Sequence, residues 1–206
     1  LESLLDKTPL NLTADADFTQ GQGEINSQIS IVDYPIEKLK AYAKELSDLS
    51  GSLSFSAKQQ VTLASDNIKL HISKAKLKNE NLVVGYQQQF FNLEGLENTL
   101  SDLKLTLAQG EITDLTGTGQ LSLKNADVHY EKPSQKLAYF EQFALNDITF
   151  SFSDGPQVSI AGLAIDNIYG SKNSETEFPP IMTLKQFSIS DIVITEQKLS
   201  INEIIL

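Results

Sequence analysis

Residues 140–150 read FEQFALNDITF and residues 184–194 read LKQFSISDIVI, matching at Gln142/Gln186, Phe143/Phe187, Leu145/Ile189, Asp147/Asp191 and Ile148/Ile192. A half-buried strand keeps its apolar side chains at period two. Here Phe143 and Leu145 are odd-numbered, whereas Ile148, Phe150 and Phe152 are even-numbered. One inserted residue changes the parity. The same phrase (apolar-x-apolar, two polar residues, apolar-x-apolar) recurs from Leu121 to Val128, from Leu163 to Ile168 and, with Ser73-Lys74 as the pair, from Leu70 to Leu77. Leu199 to Ile204 repeats part of it. Asn and Asp tolerate left-handed backbone and bond locally to main chain, so each pair is expected to be a bulge or sharp bend. The pairs at 124–125, 146–147, 166–167 and 190–191 are spaced by 22, 20 and 24 residues, about one strand and its connection.

The remaining chain also reads mainly as strands. Residues 10–18 alternate, Gly21 and Gly23 mark a turn, and residues 25–32 resume the alternation. GSLSFSA, QVTLAS and the run 68–86 follow, and glutamines 87–89 interrupt before Phe90 and Phe91. Gly110, Gly117 and Gly119 mark turns or bulges, SDGPQ at 153–157 breaks a hairpin, and residues 171–177 with Pro179 and Pro180 form a loop. One segment changes period: after Pro35 the apolar positions Ile36, Leu39, Tyr42 or Ala43, Leu46 and Leu49 predict an amphipathic helix from Pro35 to about Ser47, packing through Ile36, Leu39, Ala43 and Leu46. The expected fold is mainly β: an elongated, curved, mostly antiparallel sheet of repeated bent strands with one short amphipathic helix. A β-sandwich and a parallel β-helix are the alternatives. Residues 1–206 are read as one elongated domain, a piece of a longer chain, with subdivision near 110 as the other arrangement.

Chemistry is thin. There is no cysteine, which excludes disulfides and thiol catalysis. The two histidines, His71 and His129, fall on the polar phase of their strands and in no zinc motif, so both are read as surface residues. No GxSxG or phosphate-loop pattern occurs, and the abundant carboxylates follow no spacing rule. Sixteen Lys and Arg face 27 Asp and Glu, a formal charge of −11 that disfavours nucleic acid. Lys74, Lys76 and Lys78 form the polar side of a strand. The chain is therefore expected to be no enzyme, with no metal and no cofactor. What remains is apolar surface. If the bends return both halves of each strand to one concave face, Phe90, Phe91, Phe143, Leu145, Ile148, Phe150, Phe187, Ile189, Ile192 and Ile194 are candidates to face a lipid.

The order ISIVDYPIEKLKAYAKELSDLSGSLSFSA, with Tyr34-Pro35-Ile36, the amphipathic segment, and Gly51, Leu53 and Phe55, resembles the bacterial AsmA-like envelope proteins, in particular their DUF748 branch. LSLKNADVHY, FALNDITFSF and FSISDIVITE look like that group's repeated strands. The resemblance implies a periplasmic module of a parent chain anchored in the inner membrane. It also implies an apolar groove holding or conducting phospholipid in support of lipid transport or outer-membrane integrity. The alternative is a structural β scaffold for protein assembly in the periplasm. Expected partners are a phospholipid or other acyl-chain ligand, the rest of the parent chain and envelope proteins. The family supplies no catalytic residues.

Overall fold

The computed structural model describes residues 2–5, 8–19, 22–130, 136–153, 155–170 and 182–206. In chain order they form β1 (Glu2–Leu5), β2 (Thr8–Thr19), β3 (Gln22–Pro35), a 3-10 helix (Ile36–Tyr42), β4 (Leu46–Leu63), β5 (Asn67–Tyr86), β6 (Gln89–Ala108), β7 (Glu111–Tyr130), β8 (Lys136–Ser151), β9 (Gln157–Gly170), β10 (Met182–Thr195), β11 (Leu199–Ser200) and β12 (Glu203–Ile205). The strands make one 12-stranded sheet in sequence order, β1 through β11, with β12 also on β10. Every ladder between the strands is antiparallel. That connectivity is a meander, neither the parallel β-helix nor the two-sheet sandwich. The sheet is elongated and not closed into a barrel. It continues across residue 110, where Gln109 and Gly110, both at positive φ, make the tight turn joining β6 to β7. The expected loop at 171–177 lies outside the described residues.

A single layer cannot build a deep core. The accessible surface is 13345 Å², against about 9,500 Å² for a compact monomer of the same mass. No described side chain falls below 2% exposure. The most enclosed apolar residues are Ala126, Leu93, Ala57, Ala144 and Ile192 within the sheet, and Tyr34, Ile36 and Leu49 beside the 3-10 helix.

The helix is shorter than its period predicts. Ile36 is buried, but Leu39 is 40% and Tyr42 89% exposed. Leu46 and Leu49 belong to β4, paired with Tyr86 and Val84. The helical spacing from 43 onward is coincidental, because pairing with β5 outweighs local preference there. Leu39 and Leu46 are thus not packing positions of a helix.

The parity changes lie within continuous strands: register-shifting bulges at Asp33, Asn81, Asp102 and Asp147, and at Asn125, Asn167 and Asp191 a position that both paired strands skip together without a shift. Asp33, Asn81, Asp102, Asn125, Asp147, Asn167 and Asp191 all adopt φ between 49° and 53°, the left-handed region Asn and Asp enter most readily. β8 shows the consequence. On one side of the bulge Leu121 pairs with Leu145 and Leu123 with Phe143; on the other, Gly119 pairs with Ile148 and Gly117 with Phe150. Residues 117, 119, 121 and 123 alternate regularly along β7, so they share a face. Their partners 150, 148, 145 and 143 therefore share it too. Across β8–β9 and β9–β10 the register resumes unchanged, with Asp147 and Asp191 each skipped opposite position 161.

Candidate functional site

Two transverse seams cross the sheet. The first contains Asn81 on β5, Asn125 on β7 and Asn167 on β9; the second contains Asp102 on β6, Asp147 on β8 and Asp191 on β10. The choice between amide and acid follows the neighbour. Asn125 donates through Nδ2 to Glu94, and Asn167 likewise to Glu141; an aspartate there would set carboxylate against carboxylate. In the second seam the neighbours are donors. Gln120 reaches Asp147 at 3.3 Å, Asn202 reaches Asp191 at 3.1 Å, and His71 and Lys104 both lie 2.9 Å from Asp102. Lys104 foremost, then His71, holds the Asp102 carboxyl below its usual range.

Between and beyond the seams the strands present one apolar face. Its central rows are Leu123–Phe143–Ile165–Phe187 and Leu121–Leu145–Leu163–Ile189. Past the second seam the row Gly119–Ile148–Ile160–Ile192 continues the same face. Phe150 lies over Gly117, where an added Cβ would come within 2.5 Å of the ring. At the first seam the Phe140 and Phe143 rings, three residues apart, stand 6.4 Å apart. Regular alternation would put them on opposite sides. The face extends over β4 to β6 through Leu53, Phe55, Leu77 and Leu96, which were not among the candidates to face a lipid although they alternate as clearly.

Of the candidate residues, Phe143, Leu145, Ile148, Phe150, Phe187, Ile189, Ile192 and Ile194 come together on this face. Phe90 and Phe91 do not share it. Phe91 pairs with Val84 and Val128 on the apolar side, whereas Phe90 points to the polar side and stacks on His129, centroids 5.7 Å apart. Adjacent strand residues face opposite ways, so the pair had to divide. His129 also departs from the reading as a solvated side chain. It is 18% exposed and bonded through Nδ1 to Asp127 at 2.8 Å. Asp127 is a regular member of β7.

The opposite face is polar and small. Ser122–Ala144–Ala164–Ser188 and Ser101–Thr118–Thr149–Ser159 are two of its rows. Shallow clefts lie there, one of about 500 Å³ beside Lys58, Gln60, His71 and Ser73, another of about 530 Å³ beside Asn92, Asn125, Asp127 and Tyr139. Burial, then the carboxylates Glu141, Glu94 and Asp127, raise the Tyr139 hydroxyl pKa, and this hydroxyl donates to Asn125 at 2.9 Å. Among the described residues no group of three His, Asp or Glu side chains gathers as a metal site. Among the same residues no helix is long and apolar enough to cross a membrane. No family model, curated protein or solved structure matches the chain.

Proposed function

We propose that this chain is a non-enzymatic cell-envelope module whose apolar sheet face holds or conducts acyl chains, in support of phospholipid transport or outer-membrane integrity. The observation that carries the reading is the pair of seams. Each uses left-handed residues on alternate strands, and their joint effect is to keep Phe, Leu and Ile on one half-exposed face. A chain gains nothing for its own core from such a face left half exposed, whereas a ligand of hydrocarbon would remove it from water at about 25 cal/mol per Å². The resemblance to AsmA-like envelope proteins supports the same reading and would make the chain a periplasmic module of a parent chain anchored in the inner membrane. Lipid extraction and mass spectrometry of the gently purified protein test it. Co-purifying phospholipid that disappears with Phe143→Asp is the expected result, and a lipid-free native protein sinks the proposal.

A second reading, a β scaffold for assembly, is favoured by the sheet edges. β1 covers Thr8 to Asn11 of β2, and among the described residues no strand pairs with the outer side of 13–19. On β10, residues 182–187 are likewise open on the side away from β9. An open edge accepts another strand. Cross-linking at cysteines placed at Thr13 and Lys185 should capture an adjoining strand; capture of none removes this reading.

A further inference from the structure

The hairpins at one end of the strands repeat a feature the acyl-binding reading does not use. Turns joining β2–β3, β4–β5, β6–β7, β8–β9 and β10–β11 all lie at that end. Each carries a large exposed apolar side chain within two residues of the turn: Phe18 (65%), Ile68, Ile112 (61%), Phe152 and Leu199 (62%). Phe18, Ile68 and Ile112 belong to one transverse row, through Phe18↔Gly23↔Leu63↔Ile68↔Leu107↔Ile112. The row is the outermost margin of the apolar face. Five tips separated by two strands each, at about 4.8 Å per strand, form a line about 40 Å long.

We propose that this margin docks on a lipid surface whose headgroups are zwitterionic. The strongly exposed side chains stand about two strands apart, with the half-buried Leu63 and Leu107 between them along the row, and Ile194 accompanies Leu199 at the last tip. A fluid interface accepts such isolated points one by one, whereas a protein partner needs a contiguous patch of about 800 Å² on each side. Charge selects the surface. Asp17, Glu24, Asp66, Glu111 and Glu196 flank the tips against only Lys69 and Lys198. This field opposes anionic lipid and favours headgroups that present an ammonium outward. The proposal shares the uncovered apolar face with the acyl-binding reading but can fail separately from it.

Co-sedimentation of the 206-residue chain with vesicles of phosphatidylcholine and phosphatidylethanolamine, and with vesicles enriched in phosphatidylglycerol, tests the proposal. Binding to the first and weaker binding to the second are expected. Combined Phe18→Ser, Ile112→Ser and Leu199→Ser substitutions should weaken vesicle binding about tenfold or more, with circular dichroism unchanged and binding of a soluble fluorescent fatty acid retained. Asp66→Lys with Glu111→Lys, which leaves the tips intact, should shift preference towards the anionic vesicles. A native chain that ignores zwitterionic vesicles, prefers anionic ones, or binds equally with its tips removed overturns the docking proposal. Vesicle binding without any fatty-acid binding supports docking and counts against acyl holding instead.

Discussion

The region β2–β4 and the region β7–β10 are built from the same kind of strand and differ in one respect. From Leu10↔Ile31 to Thr19↔Gln22 the β2–β3 ladder is unbroken, and β3–β4 runs regularly until Ile31↔Phe55. Only Asp33 interrupts it. Along the apolar side this region carries Leu10, Ile31 and Phe55 in one row, but towards the hairpin tips the rows thin to Ala14, Ser27 and Gln59 and then Ala16, Ile25 and Val61. Between β7 and β10 both seams are present, and the corresponding rows are Phe, Leu and Ile. Simple alternation suffices where the face is lightly apolar. Where it is densely apolar, β8, β9 and β10 change parity together at the second seam while β7 runs regularly through it, and the left-handed residues there are Asp147 and Asp191.

Deleting Asp147 tests that contrast most severely. The deletion would return Ile148 and Phe150 to the polar side and should cost about 3 kcal/mol or more, or abolish cooperative unfolding. Deleting Ala16 from edge strand β2, beyond the last β1 pair, should cost clearly less. Equal urea midpoints for the two deletions would dissolve the distinction between the regions. A single buried charge gives the next effect. Leu93→Asp, at a site 3% exposed, should destabilise by about 3 kcal/mol, whereas Ala16→Asp on the exposed β2 should change the melting temperature little.

Seam chemistry sharpens the comparison at a smaller scale. Asp147→Val forces a β-branched residue into left-handed backbone and should cost about 1–2 kcal/mol, while Asp147→Gly should fold nearly as well as the native chain. Asn125→Asp sets a second carboxylate against Glu94 and should cost about 1 kcal/mol at neutral pH, recovered as the pH falls and one of the pair protonates. Asp147→Asn should show no such pH dependence. The smallest effect concerns Asp102. Its carboxyl is lowered in the folded state by Lys104 first and His71 second, so its contribution is complete above the ordinary carboxylate pKa and is lost as pH falls through the lowered value. Lys104→Met should move the acid-unfolding midpoint slightly upward in pH and leave the region β2–β4 unaffected.

Four of the seven left-handed positions were legible in the amino-acid sequence because apolar pairs bracket them. Asn81 was hidden by Asn79, which occupies the apolar phase on the strand; it is 4% exposed, and its side chain donates to the Ser52 carbonyl at 2.8 Å. Asp102 was hidden the same way by Asn98, although Ser101-Asp102 repeats Ser190-Asp191. Asp33 sits where Val32 blurs the phrase. The division of Phe90 from Phe91 followed from strand geometry and was missed by treating them as a cluster. The meander itself was legible only as antiparallel tendency, since neighbours in a sheet are set by pairing that no local pattern encodes. The hairpin-tip row was invisible for the same reason: its members lie tens of residues apart and meet only through the register.

The sequential strand order has a kinetic consequence. Every ladder joins a strand to one of its closest successors in the chain, so closing each costs the entropy of one short loop and no strand waits for a distant partner. Folding can therefore advance hairpin by hairpin from whichever pair forms first. A chain of this kind can assemble in the order in which it is synthesised, at a pace unusual for a protein composed almost wholly of β structure.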